Sequence, residues 1–221
     1  MCYIKFMQEN LIKILQFTHE LQKVKNLLRF KGMPGWENEN IERWDSVAEH
    51  SYRMALLAVM ISPYIQERVS LEKVLKMILI HDIVEITALD YSPMASHGNG
   101  GGHAFDNNAF TEKYKREMNS ARHIFKDLPE DLSNEFINLF TEYISTKADK
   151  DNSTAEGRFA YALDKIEATI QIIDWRKDSK NWPEEGFNKS MIYMHEWSDY
   201  DLTLKSFTNL VEQEAKNLIL K

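Results

Sequence analysis

Residues 74–86 read "VLKMILIHDIVEI", and the fold turns on how that run is interpreted. Val74, Leu75, Ile78 and Leu79 recur at three- and four-residue intervals, with Leu71 one turn earlier, which is the stripe of a helix buried along one face. Carried forward, the stripe reaches Asp82, four residues after Ile78, and Glu85, three further on, with His81 one turn before Glu85. Burying an unpaired carboxylate costs several kcal/mol, so an inward Asp82 demands a cation or several hydrogen-bond donors.

Working outward, the same anomaly recurs twice. In "SVAEHSYRMALLAVMI" (46–61), His50 shares a stripe with Val47, Met54 and Ala58 and therefore points inward. In "AYALDKIEATI" (160–170), Leu163, Ile166 and Ile170 mark the core, and Asp164 lies at the edge of that stripe beside Ala160 and Ala168. One divalent metal would satisfy two His and two Asp converging from three helices. A mixed imidazole and carboxylate set suits Mn, Fe, Co or Zn better than Ca. Taken singly, each residue also has an ordinary reading, a hydrogen-bonded core histidine or a helix-end Asp in a cap or ion pair.

The remainder of the chain is helical in pattern. Five prolines and eight glycines punctuate it, and no alternating runs suited to strands occur. The spacing predicts helices over roughly 3–30, 45–66, 70–87, 108–126, 129–146, 154–178 and 184–219. Ser70 is placed to cap the third, Ser153 with Glu156 forms a capping-box pattern before the sixth, and Pro183 opens the last. The longest irregular stretch is "DYSPMASHGNGGGHAFD" (90–106), whose glycines at 98, 100, 101 and 102 cannot support a helix. It has no phosphate-cradle spacing and no preceding strand, so it is not a P-loop.

Composition bounds the rest. A chain of 221 residues with 43% hydrophobic and 28% charged residues is sized for a globular core. The formal charge of −7 argues against a nucleic-acid partner. The single cysteine, Cys2, permits no intrachain disulfide and suits a reducing cytoplasm. The longest apolar run, "MALLAVMI" (54–61), is too short to span a bilayer, and the N-terminus lacks a signal-peptide pattern, so the expectation is a cytoplasmic protein with no membrane contact.

Three segments, "RWDSVAEHSYRMALLA" (43–58), "VLKMILIHDIVEI" (74–86) and "AEGRFAYALDKIEATIQ" (155–171), resemble the HD-domain metal-dependent phosphohydrolases, in particular the 5'-deoxynucleotidase branch. The resemblance implies an all-α HD-domain helical bundle with a metal site between helices. It would be a single domain over 1–221, with a motif core at about 20–178 and a C-terminal helical extension over 179–221. It makes His50, His81, Asp82 and Asp164 the ligands of one divalent transition metal. Glu85 matches the position that orients or activates the nucleophilic water, and Asp90 matches a general acid/base. Arg43 and Trp36 match positions near the nucleotide. A homodimer is implied as well.

Alternatives stand beside these assignments. Arg43 could equally pair with Glu42 or Asp45 on the surface, Trp36 could close the core, and Glu85 could orient a ligand histidine. Leu89 stands before Asp90 where the branch usually has Gly, and Lys31 or Arg29 would replace the arginine usual ahead of the tryptophan. The activity the resemblance implies is hydrolysis of nucleoside 5'-monophosphates, deoxynucleotides among them. One rival is an HD-fold di-iron oxygenase, for which His97, His103 and His123 are the extra ligands available. The other is a non-catalytic protein that uses the metal to hold its helices together and binds a nucleotide or a partner.

Overall fold

The computed structural model describes residues 2–31, 36, 40–88, 102–179 and 182–219. Its helices follow one another as α1 (Cys2–Glu20), α2 (Val47–Ile61), α3 (Leu71–Ile80), α4 (Glu85–Ala88), α5 (Asn107–Phe125), α6 (Glu130–Ala148), α7 (Ala155–Ser179), α8 (Glu184–Ser198) and α9 (Leu202–Ile219), with a 310 turn at Leu21–Lys25 after α1. Extended pairing among the described residues is limited to an isolated bridge between Leu28 and Ser46. The all-α architecture expected from the periodicity is the one observed. No described helix is long and apolar enough to cross a membrane.

Helix α7 organises the molecule. Phe159, Ala160, Ala162, Leu163 and Ile166 are fully buried on it, so it is apolar on most of its faces rather than along one stripe, as befits a central helix. It packs against α2, α3, α6, α8 and α9. The ends of neighbouring helices are fixed by side-chain caps. Ser46 and Glu49 form a reciprocal capping box at the start of α2, Ser70 caps α3, and Asp106 accepts the Ala109 N–H at 2.8 Å at the start of α5. The box expected at Ser153 is displaced by one residue: Thr154 accepts the Gly157 N–H at 3.1 Å, while Glu156 reaches across to the Ser70 N–H at 2.9 Å.

The second predicted helix, expected to reach 66, stops at Ile61, and three others end early or break for a tertiary reason. The first stops at Glu20, because residues 27–29 are paired instead: Arg29 N–H donates to the Asp45 carbonyl and Val47 N–H to the Leu27 carbonyl, both at 2.9 Å. Phe30, at φ 62°, then turns into a cluster with Trp36 and Trp175. The third stops at Ile80, and residues 81–84 form tight turns in which Glu85 N–H donates to the Asp82 carbonyl at 3.1 Å. Ser120 Oγ on α5 holds this turn by donating to the Val84 carbonyl. The last splits into α8 and α9 at the buried Asp201, whose carboxylate accepts the N–H groups of Thr203, Leu204 and Gln66.

On α3 the core residues are Val74, Met77, Ile78 and Ile80, while Leu79, assigned to the core face from spacing, is 56% exposed. The C-terminal aromatics belong to the core: Trp182, Tyr193 and Trp197 are buried. His195 ties α8 to α9, with Nδ1 at 3.1 Å from Asp199 and Nε2 at 3.0 Å from Glu212.

Candidate active site

Helix α2 supplies His50, the turn after α3 supplies His81 and Asp82, and α7 supplies Asp164. His50 and His81 are buried, and their rings lie 5.3 Å apart. His50 Nε2 is 3.3 Å from Asp164 Oδ1 and 3.7 Å from Asp82 Oδ2, and His81 Nε2 is 3.1 Å from Asp82 Oδ2. Ligand atoms of His50, His81 and Asp164 all fall within 4.8 Å of one another. The four residues singled out from three separated segments therefore meet at one point.

The other ring nitrogens fix the chemistry of these imidazoles. His50 Nδ1 is hydrogen-bonded to Glu167 Oε2, and His81 Nδ1 to the Ile78 carbonyl at 2.7 Å. Both partners can only accept, so Nδ1 carries the proton and a neutral ring presents a bare Nε2 lone pair. Both Nε2 atoms are buried without a hydrogen-bond partner. A histidine oriented through Nδ1 with Nε2 facing carboxylates has the arrangement of a metal ligand. The donor set of two imidazoles and two carboxylates fits a divalent transition metal.

Asp164 is oriented as firmly. Its Oδ2 accepts from the Tyr143 hydroxyl at 2.8 Å and from Lys165 Nζ, which leaves Oδ1 turned toward His50. Burial opposes ionisation of Asp164, but Lys165, His50 and His81 outweigh it and hold the carboxyl well below its ordinary value. Asp82 is likewise held low against the effect of burial, chiefly by His81 and then His50. Glu167 is buried too, and His50, Arg29 and Arg53 hold it at about 2. Burial and Arg29 push the His50 imidazolium down, yet Glu167 and Asp164 raise it to about 9. Any cation taken up at Nε2 would displace that proton.

The cluster borders a small cleft lined by His81, Asp82 and Asp164 together with His103 and residues of α5, α6 and α7. Not every site residue expected from sequence lies there. Glu85 opens α4 and is buried, but it is not part of the cleft lining. Arg43 is exposed and paired with Glu49, the acid of the α2 capping box. Trp36 is buried among Phe30, Trp44 and Trp175, with the Arg176 guanidinium over its ring at 4.7 Å. Asp90 and His97 lie outside the described residues, His103 lines the cleft, and His123 is exposed on α5.

Sequence reading missed Glu167. The signal was present: it follows Asp164 by three residues and so shares a helix face with it, the same relation that drew attention to Asp82 and Glu85.

An all-helical domain whose inward histidines and aspartates meet beside a cleft defines a class of helical metal-site proteins. The family model described as HD domain matches residues 22–205 of the chain, and the chain belongs to that family of phosphohydrolases. Human 5'-deoxynucleotidase HDDC2 is 30% identical over 162 residues, covering 73% of this chain and 68% of the relative. The 5'-deoxynucleotidase hdd1 of Schizosaccharomyces pombe is 29% identical over 170 residues, covering 75% and 74%. Among solved structures, one described as a predicted metal-dependent phosphohydrolase from Magnetospirillum magnetotacticum is 25% identical with a TM-score of 0.69, and the match covers 96% of each chain. An HD-domain phosphohydrolase from Listeria innocua shares the fold at a TM-score of 0.70 and 16% identity, covering 94% and 92%.

Proposed function

We propose that this chain hydrolyses nucleoside 5'-monophosphates, deoxynucleotides in particular, to nucleoside and phosphate, using one divalent transition metal (Mn, Co, Fe or Zn) held by His50, His81, Asp82 and Asp164. The observation that carries the reading is the pair of buried Nε2 atoms, neither with a hydrogen-bond partner, facing two ionised carboxylates at the edge of a cleft. The nucleotide substrate is supported by the activity named for the human and fission-yeast relatives.

When bound, such a metal supplies Lewis acidity, lowering the pKa of water and polarising a phosphoryl oxygen. The chain's own residues prepare that chemistry. Glu167 and the Ile78 carbonyl hold both imidazoles in the ligating tautomer, and Tyr143 with Lys165 hold Asp164 so that one oxygen is presented. Hydrolysis then needs water in line with the ester oxygen, and a group that accepts the water's proton and returns one to the departing 5'-oxygen. Glu85 and Asp90 are assigned that traffic through their match to the family motif.

The oxygenase rival needs a second metal. His103 is the one candidate for it that reaches the cleft among the described residues, but Lys113, Lys165 and Lys147 surround it and their charges oppose another cation there. A homodimer is supported by the apolar side chains exposed on α1 (Ile4, Phe6, Leu11, Leu15) and on α2 (Tyr52, Leu56, Met60), a surface of the kind stable interfaces cover. Light scattering on the purified chain tests it.

The activity is tested by phosphate release from a panel of nucleoside 5'-monophosphates with metal-loaded protein, alongside elemental analysis of wild type and Asp82→Ala. About one metal per chain, lost in the folded variant together with turnover, is expected. Release from no nucleotide would sink the hydrolase reading. Two irons per chain would favour the oxygenase.

A further inference from the structure

The cleft lining beyond the metal ligands is cationic in an acidic protein. Lys113 from α5 and Lys165 from α7 line it with His103, and Lys147 from α6 stands close by, donating to the His103 and Ala104 carbonyls with its ammonium 5.2 Å from the ring of lining residue Phe110. Three ammonium groups therefore gather around one small cleft in a chain of formal charge −7. They are close enough to repel: burial, then Lys165 and Lys113, bring Lys147 down to about 7, and burial with all three lysines keeps His103 neutral. Such a concentration is electrostatically unfavourable until an anion enters it.

The partners of these lysines do not make them stability devices. Lys113 pairs with Glu117 one turn on, at 3.1 Å, with side chains 22% and 7% exposed. Lys preceding Glu by four residues is the weaker order for helix stabilisation, and desolvating both groups costs more than an exposed pair returns. Lys165 lies with its ammonium 4.3 Å from the Tyr161 ring centre, already engaged by Asp164 on one side.

Lys113 and Lys165 line the same cleft as Asp82 and Asp164, and Lys147 stands beside them. Cationic side chains gathered next to a candidate metal site suit an anionic group, and ammonium groups bind phosphate oxygens as point charges.

We propose that Lys113 and Lys165 form the phosphate cradle of this cleft, taking the non-bridging oxygens of a dianionic phosphomonoester, with Glu117 as the positioning residue that holds Lys113. The proposal rests on the reading that the cleft takes a phosphate ester.

The test is isothermal titration of inorganic phosphate into the metal-loaded full chain, comparing wild type with Lys113→Met, Lys113→Arg, Lys165→Gln and, as a control on the exposed face of α5, Lys115→Met. Lys113→Met is expected to weaken phosphate binding by about 10–100-fold, the loss of one charge-assisted hydrogen bond, with metal content unchanged. Lys113→Arg should recover most of the affinity, Lys165→Gln at saturating metal should also bind more weakly, and Lys115→Met should match wild type. For a nucleotide substrate the loss should appear mainly in KM. Wild-type affinity in Lys113→Met, or an equal loss in Lys115→Met, overturns the cradle. Lys113-dependent phosphate binding in a protein that hydrolyses no nucleotide leaves the cradle standing and removes the hydrolase reading. Nucleotide hydrolysis with phosphate affinity indifferent to Lys113 does the reverse.

Discussion

Replacing Glu167 by Gln is the perturbation whose magnitude the structure sets most closely. The Glu167 side chain is fully buried and serves three donors: His50 Nδ1, Arg29 Nη1 at 3.1 Å and Arg53 Nε at 2.6 Å. His50 and Arg29 share Oε2, while Arg53 takes Oε1. An amide of the same shape has one oxygen, so its NH2 must face either Arg53 or the other two donors. Removing one partner from a buried ion pair costs about 3–5 kcal/mol. The same three partners hold the carboxyl at about 2 against the effect of burial, a shift that corresponds to about 3 kcal/mol of differential interaction. Chelator-treated Glu167→Gln protein should therefore unfold in urea with about 3 kcal/mol less stability than wild type at pH 7. Because His50 also loses the acceptor that fixes its tautomer, metal affinity should fall by about 10–100-fold in competition with a fluorescent chelator. A stability loss below about 1 kcal/mol, with metal affinity within about twofold of wild type, would refute the claim that Glu167 holds His50 in ligating form.

Three other perturbations have outcomes set by the structure. Lys147, brought down from 10.5 to about 7 by burial and by its lysine neighbours, binds fewer protons when folded than unfolded across that window. Stability therefore gains with rising pH there, and the wild-type advantage over Lys147→Met in urea midpoint should grow between pH 7 and about 10; a constant difference would contradict it. Gly157→Ala would place a Cβ 2.5 Å from Thr146 Oγ1 and 3.1 Å from Thr154 Oγ1, in a site where Thr146 is fully buried, so thermal unfolding should show a loss of about 1–3 kcal/mol. Arg43→Ala removes an exposed ion pair, worth about 0–1 kcal/mol, and Trp36→Phe alters a buried aromatic cluster. Steady-state kinetics should show nucleotide KM within about twofold of wild type for both, whereas a tenfold rise would bring these side chains to the substrate.

How much of this was legible in the sequence depended on whether a residue was anomalous within its own helix. His50 was visible because Val47, Met54 and Ala58, all buried with it, mark an apolar stripe that an imidazole interrupts. Asp82 and Asp164 were visible for the same reason, and periodicity placed most of the helices that carry them. The breaks were not legible, because each is made by a partner distant in sequence. Arg29 N–H bonds to the Asp45 carbonyl, the Ser120 hydroxyl to the Val84 carbonyl, and Gln66 N–H to Asp201. Leu79 was misplaced because a stripe of spacing 3 and 4 does not say which of two adjacent leucine-type positions lies at its edge.

The lysines around the cleft show the limit most clearly. Lys113 and Lys147 occupy positions that look like ordinary solvated helix faces, and a lysine there breaks no local rule. Their significance arises only when α5, α6 and α7 bring three ammonium groups together beside the aspartates, and no single helix records that convergence. Cations gathered around a cleft in this way are missed by pattern reading even where the buried histidines and aspartates beside them are found, because burying a carboxylate is exceptional and exposing a lysine is not.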